Sequence, residues 1–180
     1  MKAVFLDRDG VLNEALVRDG KPYAPAHPAE MKIYSEAASA LARLKSAGYL
    51  LIVVTNQPDV ARGDQTLEAV QEMDAHVRAA LPVDDIFVCL HDDVDHCHCR
   101  KPKPGMILDA ATRYGIDLGA SFMVGDRWRD IDCGANAGVR TILIDRGWKE
   151  RGPEHSPDYR CGSIAEAAEW IVAAQRISSP

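Results

Sequence analysis

At 180 residues, with 47% hydrophobic and 27% charged side chains, the chain has the size and make-up of one globular domain with a substantial core. A net charge of −6 and an isoelectric point near 5.5 argue against a nucleic-acid surface, and no apolar run approaches the roughly 20 residues of a membrane span. Met1-Lys2 runs straight into an apolar stretch with no signal-peptide pattern, so a cytoplasmic protein is expected, in which five cysteines fit poorly as disulfides.

Residues 3–6, Ala-Val-Phe-Leu, predict a short buried parallel strand. It stops at Asp7 and Asp9, with Gly10 next. In extended chain, residues i and i+2 point to the same side, so both carboxylates face one crevice, where their repulsion asks for a proton or a divalent cation. Taken alone, D-x-D-G is also ordinary turn chemistry. Residues 13–35, with Gly20, Pro22, Pro25 and Pro28, read as a long substrate-side loop. Ser35 predicts a helix N-cap, Leu41, Leu44 and Ala47 follow at helical spacing, and Gly48 stops the helix. Residues 49–54 form the next buried strand, ending in the polar tip Thr55-Asn56-Gln57.

Residues 60–63 read as a turn, and residues 66–81 as a helix with Leu67, Val70, Met73, Val77 and Leu81 on one face. A strand at 86–88 leads into a loop rich in cysteine and histidine. Residues 105–114 predict a helix stopped by Gly115, 121–124 a strand ending in Gly125-Asp126, and about 129–137 a helix ahead of Gly138. A strand at 139–144, a loop at 151–161 and a helix at 165–175, with Ala168, Ile171 and Val172 inward, complete the chain. This alternation predicts a doubly wound α/β fold with a mainly parallel sheet, one domain over residues 1–180, without a large cap domain. In such folds the strand C-termini meet in one crevice, which brings Asp7 and Asp9, Thr55 and Asn56, and Asp126 together.

Asp7, Asp9 and Asp126, with Asp130 one helical turn beyond, form an oxygen-rich set that selects Mg²⁺. The Thr55 hydroxyl, the Asn56 amide and Lys101 are donors suited to a phosphoryl group, and a carboxylate beside Mg²⁺ is a competent nucleophile for phosphorus. The residues therefore predict phosphoryl transfer through an aspartyl-phosphate. A second constellation, Cys89-x-His91-x5-Cys97-x-Cys99, supplies three thiolates and an imidazole, a closed tetrahedral set for structural Zn²⁺ over residues 89–99. His96 and His98 compete for the histidine position. Cys133 and Cys161 are isolated and read as small buried apolar residues.

The ordered set DRDG, TN, Lys101 within CRKPKPG, and GDRWRD spans residues 7–130 and resembles the haloacid dehalogenase (HAD) superfamily of phosphatases. The resemblance implies that Asp7 attacks phosphorus and that Asp9 protonates the leaving group, then activates water. Thr55 would bind the phosphoryl group, Lys101 would offset charge, and Asp126 with the Asp9 carbonyl would hold Mg²⁺. Asp130 would stand behind the ligands. A zinc loop running into CRKP is similar to two branches of the superfamily, acting on a heptose 1,7-bisphosphate and on histidinol phosphate. TNQPDVARG and CRKPKPGM are closer to the first. The implied substrate is the 7-phosphate of D-glycero-D-manno-heptose 1,7-bisphosphate, with histidinol phosphate as the alternative. Arg100, assisted by Arg62, would bind the distal phosphate or sugar. Arg127 stands where the heptose branch has a lysine. A polynucleotide 3′-phosphatase is disfavoured by the acidic charge, and a non-catalytic zinc-stabilised interaction module by the complete catalytic set. The expected protein is a monomer acting on a small phosphorylated molecule, with no nucleic-acid or membrane partner.

Overall fold

Four apolar residues can stay dry only if both faces of their strand are covered, and β1 (Lys2–Leu6) lies in the middle of the sheet. The computed structural model describes residues 1–177. The elements after β1 are β2 (Leu16–Arg18), β3 (Lys21–Tyr23), α1 (Ala37–Ser46), β4 (Tyr49–Asn56), α2 (Asp59–Arg62), α3 (Leu67–Ala80) and β5 (Asp85–Cys89). Next come α4 (Gly105–Tyr114), β6 (Phe122–Gly125), α5 (Trp128–Ala137), β7 (Arg140–Ile144), β8 (Tyr159–Cys161) and α6 (Ile164–Ile177). Six strands form one parallel sheet in the order β5-β4-β1-β6-β7-β8.

The two-residue period of the strands divides the core. Val4 and Leu6 of β1, with Leu51 and Val53 of β4, pack with α1, α3 and α6 through Leu41, Leu44, Val70, Met73 and Ile171. Ala3 and Phe5, with Ile52 and Val54, pack against α4 and α5 through Met106, Ile107 and Cys133. This is the expected doubly wound arrangement, with helices on both faces. Thr66 caps α3, its hydroxyl accepting from the Ala69 amide at 3.1 Å, a contact worth about 1 kcal/mol. Among the described residues no helix is long and apolar enough to cross a membrane.

Four local expectations change. Ser35 does not cap α1. The N-cap is Glu36, and the Ser35 hydroxyl turns to the Glu36 carboxylate at 3.4 Å. Residues 60–63 belong to one helical turn, α2, closed by Gly63. The loop at 151–161 ends in β8, a three-residue edge strand too short to show alternation. The 13–35 loop contains the antiparallel hairpin β2–β3, whose turn is Asp19-Gly20, both with positive φ, 53° and 78°. Asp-Gly favours a two-residue hairpin turn, and Pro22 is tolerated on such a free edge.

Candidate active site

The tip of β1 is tied to its neighbour by the Asp7 amide, which donates to the Val124 carbonyl at 3.0 Å. Gly10 then turns the chain with a φ of +90°, and a side chain there would collide with the Asp126 carboxylate. Asp7, Asp126 and Asp130 are all buried, and one carboxylate oxygen from each lies within 4.8 Å of the others. Lys101 enters from the loop before α4. Its ammonium donates to Asp7 Oδ1 at 2.8 Å and to the Val54 carbonyl at 2.8 Å, and lies 2.6 Å from Asp130 Oδ1.

Three carboxylates face one ammonium, and the imbalance shows in their acidities. Burial, then the Asp130 charge, raise Asp7 to about 6, with Lys101 pulling the other way. Burial, then Asp7 and Asp130, push Asp126 well above the usual carboxylate range. Burial works against the Lys101 charge, but Asp130 and Asp7 overcome it and hold its pKa above the ordinary value. Asp126 Oδ2 accepts from the Trp148 indole at 2.6 Å, while Oδ1 is buried with no hydrogen-bond partner. Hard oxygen donors, surplus negative charge and an orphaned oxygen fit a divalent cation of the Mg²⁺ type.

Asp9 behaves differently from the expected pair. It lines the same cleft as Asp7, but its carboxylate stands outside the three-aspartate cluster. Arg8 donates to both its oxygens at 3.3 and 3.1 Å, Asn13 to Oδ1 at 2.9 Å and Gln57 to Oδ2 at 2.8 Å. Burial alone would raise its pKa, yet Arg8, Asn13 and Gln57 together hold it below the ordinary value. Arg8, fully buried and also paired with Asp74 of α3 at 3.0 Å, was not expected as a site residue. Its place inside DRDG was the available signal.

Thr55 is buried at the end of β4, its hydroxyl accepting from Gln57 at 3.0 Å. Asn56 lines the cleft, and its side-chain amide also clamps the Lys101 backbone, donating to the carbonyl and accepting from the N–H, both at 3.1 Å.

Above the floor of Asp7, Asp9 and Lys101 opens a cleft of about 270 Å³, walled by Lys21 and Tyr23 of the hairpin and by four arginines, Arg62, Arg100, Arg127 and Arg129. Residues 21–24 are the part of the 13–35 segment that lines this cleft. Arg62 is held by Asp92 at 2.7 and 2.9 Å, Arg100 by Asp93 at 2.8 Å and the His91 carbonyl at 3.2 Å, and Arg129 by Asp93 at 3.1 and 3.2 Å. Arg127 pairs with Glu150 at 2.7 Å.

The cysteine loop closes on itself. Cys89 Sγ lies 3.1 Å from Cys99 Sγ and 3.7 Å from Cys97 Sγ, and His91 Nδ1 lies 3.4 Å from Cys99 Sγ. All four donor atoms fall within 4.8 Å of one another, a set that fits Zn²⁺. His96 and His98 stand outside it, His96 in a left-handed turn and His98 bonded to Asp109 at 2.9 Å. The Arg100 amide donates to Cys97 Sγ at 3.3 Å, joining this loop to the residue before Lys101. Cys133 and Cys161 are buried.

Residues 98–167 match the HAD-hydrolase-like family model. A D-glycero-beta-D-manno-heptose-1,7-bisphosphate 7-phosphatase of Helicobacter pylori (strain J99) is 32% identical over 178 residues, which is 94% of this chain and 97% of the relative. This chain belongs to the HAD-like phosphatases. The enzyme of the same name from Pasteurella multocida is 38% identical over 185 residues, 94% of this chain and 96% of that one. The crystal structure of D,D-heptose 1,7-bisphosphate phosphatase from B. bronchiseptica, complexed with magnesium and phosphate, matches with a TM-score of 0.81. Its identity is 34%, and the match covers 97% of this chain and 99% of that one.

As a HAD-like phosphatase the chain is a phosphoric monoester hydrolase, and its cleft has the parts that chemistry needs. It offers a carboxylate at the cleft floor, a second carboxylate in a separate hydrogen-bond cage, and cations around the opening.

Proposed function

We propose that this HAD-like phosphatase removes the 7-phosphate of D-glycero-D-manno-heptose 1,7-bisphosphate through an aspartyl-phosphate on Asp7. The observation that carries the reading is the Lys101 ammonium between Asp7 and Asp130 at the floor of an arginine-lined cleft. A likeness running nearly the full length of chains named for that activity supports it.

In this reading Asp7 attacks phosphorus as the bond to the sugar oxygen breaks. Asp9 gives its proton to the departing oxygen, then takes one from the water that cleaves the acyl phosphate, restoring Asp7 and releasing phosphate. The low pKa of Asp9 favours the base step and opposes the acid step. The acid step requires the bound phosphoryl group's charge to raise that pKa, so that Asp9 carries the proton it gives. Lys101 keeps Asp7 ionised and balances charge on the phosphoryl group, toward which the Thr55 hydroxyl contributes a donor. Asp7, Asp126 and the Asp9 carbonyl would hold Mg²⁺, with Asp130 behind them as the Lys101 partner. When bound, the cation withdraws charge from the phosphoryl oxygens and lowers the repulsion among the carboxylates. Zn²⁺ on Cys89, His91, Cys97 and Cys99 has a structural part, holding Arg100 and Lys101 at the cleft. Arg100 and Arg62 would meet the distal phosphate. The reading includes a single domain over residues 1–180 and a monomeric cytoplasmic enzyme, checked by light scattering and cell fractionation.

One observation favours a second substrate. Asp92 and Asp93 already occupy Arg62, Arg100 and Arg129, which suits a molecule with a single phosphate such as histidinol phosphate. Phosphate release from the two substrates, compared by kcat/KM in Mg²⁺, tests the choice. A preference of about a hundredfold for the bisphosphate, or ~2.7 kcal/mol of transition-state binding, is expected. The reverse preference would replace the substrate, and the absence of turnover after Asp7→Asn is the companion test of the nucleophile.

A further inference from the structure

Three successive residues after β7 each fasten a different part of the site. The Trp148 indole donates to Asp126 Oδ2 at 2.6 Å. The Lys149 amide donates to the Gly20 carbonyl in the hairpin turn at 2.9 Å. Glu150 accepts from Arg127 at 2.7 and 3.0 Å. The hairpin contact is close: a side chain at Gly20 would lie 2.7 Å from the Lys149 Cδ atom, and the positive φ of 78° there favours glycine. The loop is anchored at its start by the Gly147 amide, which donates to Asp145 at 3.0 Å.

The indole N–H is a donor only, so it can hold a carboxylate but cannot compete with one for a cation. With Oδ2 taken, Asp126 keeps Oδ1 buried and without a partner. Like charge at Asp7 and Asp130 repels the Asp126 carboxylate, and the indole opposes any rotation away from them. We propose that Trp148 is a positioning residue for the cation, fixing Asp126 so that Oδ1 is presented beside Asp7 and Asp130. Its neighbour Lys149 links that position to the hairpin wall of the cleft. The proposal rests on the reading of Asp126 as a Mg²⁺ ligand.

Trp148→Phe keeps the ring and removes the N–H. In zinc-loaded protein, calorimetric titration with Mg²⁺ is expected to show binding weaker by on the order of tenfold, the weight of one hydrogen bond to a charged group. The Mg²⁺ concentration for half-maximal activity should rise with it, while kcat at saturating Mg²⁺ returns to near the native value. A merely structural role would not give that recovery. Native Mg²⁺ affinity in the folded variant overturns the proposal. Asp126→Asn, titrated alongside, separates the two ideas. If it binds Mg²⁺ as the native protein does, the ligand reading itself fails; if only Trp148→Phe is silent, the positioning role fails alone. Should Trp148→Phe not fold, native protein carrying 5-fluorotryptophan provides the readout, with Trp128→Phe and Trp170→Phe assigning the fluorine signals. The Trp148 signal should move as Mg²⁺ binds, and a stationary signal through saturation overturns the proposal.

Discussion

The Lys101 ammonium lies 2.8 Å from Asp7 across 94 residues of sequence, and it bridges that carboxylate to Asp130 at 2.6 Å. A buried cation shared by two buried anions cannot be removed without leaving like charges face to face. Lys101→Met is therefore expected to lower kcat by on the order of a hundredfold or more, through lost charge balance at phosphorus. It should also lower the melting temperature of the metal-free protein, and Mg²⁺ should recover part of that loss. Phosphate release and thermal unfolding with and without Mg²⁺ check both. Native kcat would remove Lys101 from the chemistry.

Asn56 holds Lys101 by its backbone rather than by its charge. Asn56→Ala frees both peptide groups and lets the ammonium drift, so kcat is expected to fall about tenfold while KM changes little, because positioning rather than binding is lost. A large rise in KM with unchanged kcat would instead make substrate contact, the role the sequence predicts, the main part of Asn56.

The acidities set a pH dependence with a definite sign. Burial first, then Asp130, raise Asp7 from 3.8 to about 6, and Asp126 is raised as well. A carboxyl with a raised folded pKa adds stability that is complete below its unfolded pKa and is lost as pH climbs through the folded one. Asp9, with its depressed pKa, acts oppositely and only at lower pH. Metal-free protein should therefore lose melting temperature between about pH 4 and about pH 7. Mg²⁺ should add several degrees near about pH 7.5 and little near about pH 5, where protons compete for the same oxygens. Equal gains at both pH values would sink the assignment of the cation to this cluster.

Cys99 lies nearest Cys89 in the four-donor set, and its backbone continues directly into Arg100 and Lys101. Cys99→Ser should cut bound zinc to well below one equivalent and raise proteolysis between residues 89 and 103, with activity falling as Lys101 loses its support. Metal analysis of protein grown with limiting Mg²⁺ and ordinary zinc checks the first part. Full zinc occupancy in the variant would exclude Cys99 as a ligand.

Most of this arrangement was legible because the sheet has a strong code. Runs such as Phe5-Leu6 and Ile52-Val53-Val54 mark buried parallel strands, and the polar residues that end them collect at one edge. What escaped depends on partners far away in sequence. Nothing local to Arg8 says that Asp74 will meet it, or that Trp148 will reach Asp126. The hold of Asn56 on the Lys101 backbone is likewise invisible locally, because its partner is 45 residues distant. The hairpin at Asp19-Gly20 was readable in principle, but its strands are three residues each and too short to show alternation.

The central place of β1 has a consequence for synthesis. Its residues leave the ribosome before those of β4 and β6, yet Leu6 pairs with Val53 on one side and with Val124 on the other. A nascent chain that has made β4 but not β6 carries an apolar strand with one open edge, the kind of surface that recruits a wrong partner. The aspartates of the site cannot assemble until Asp126 and Asp130 have emerged, so chains stopped earlier are both inactive and prone to stick. Asp7 is made well before Asp126 and Asp130, the carboxylates that complete its cluster.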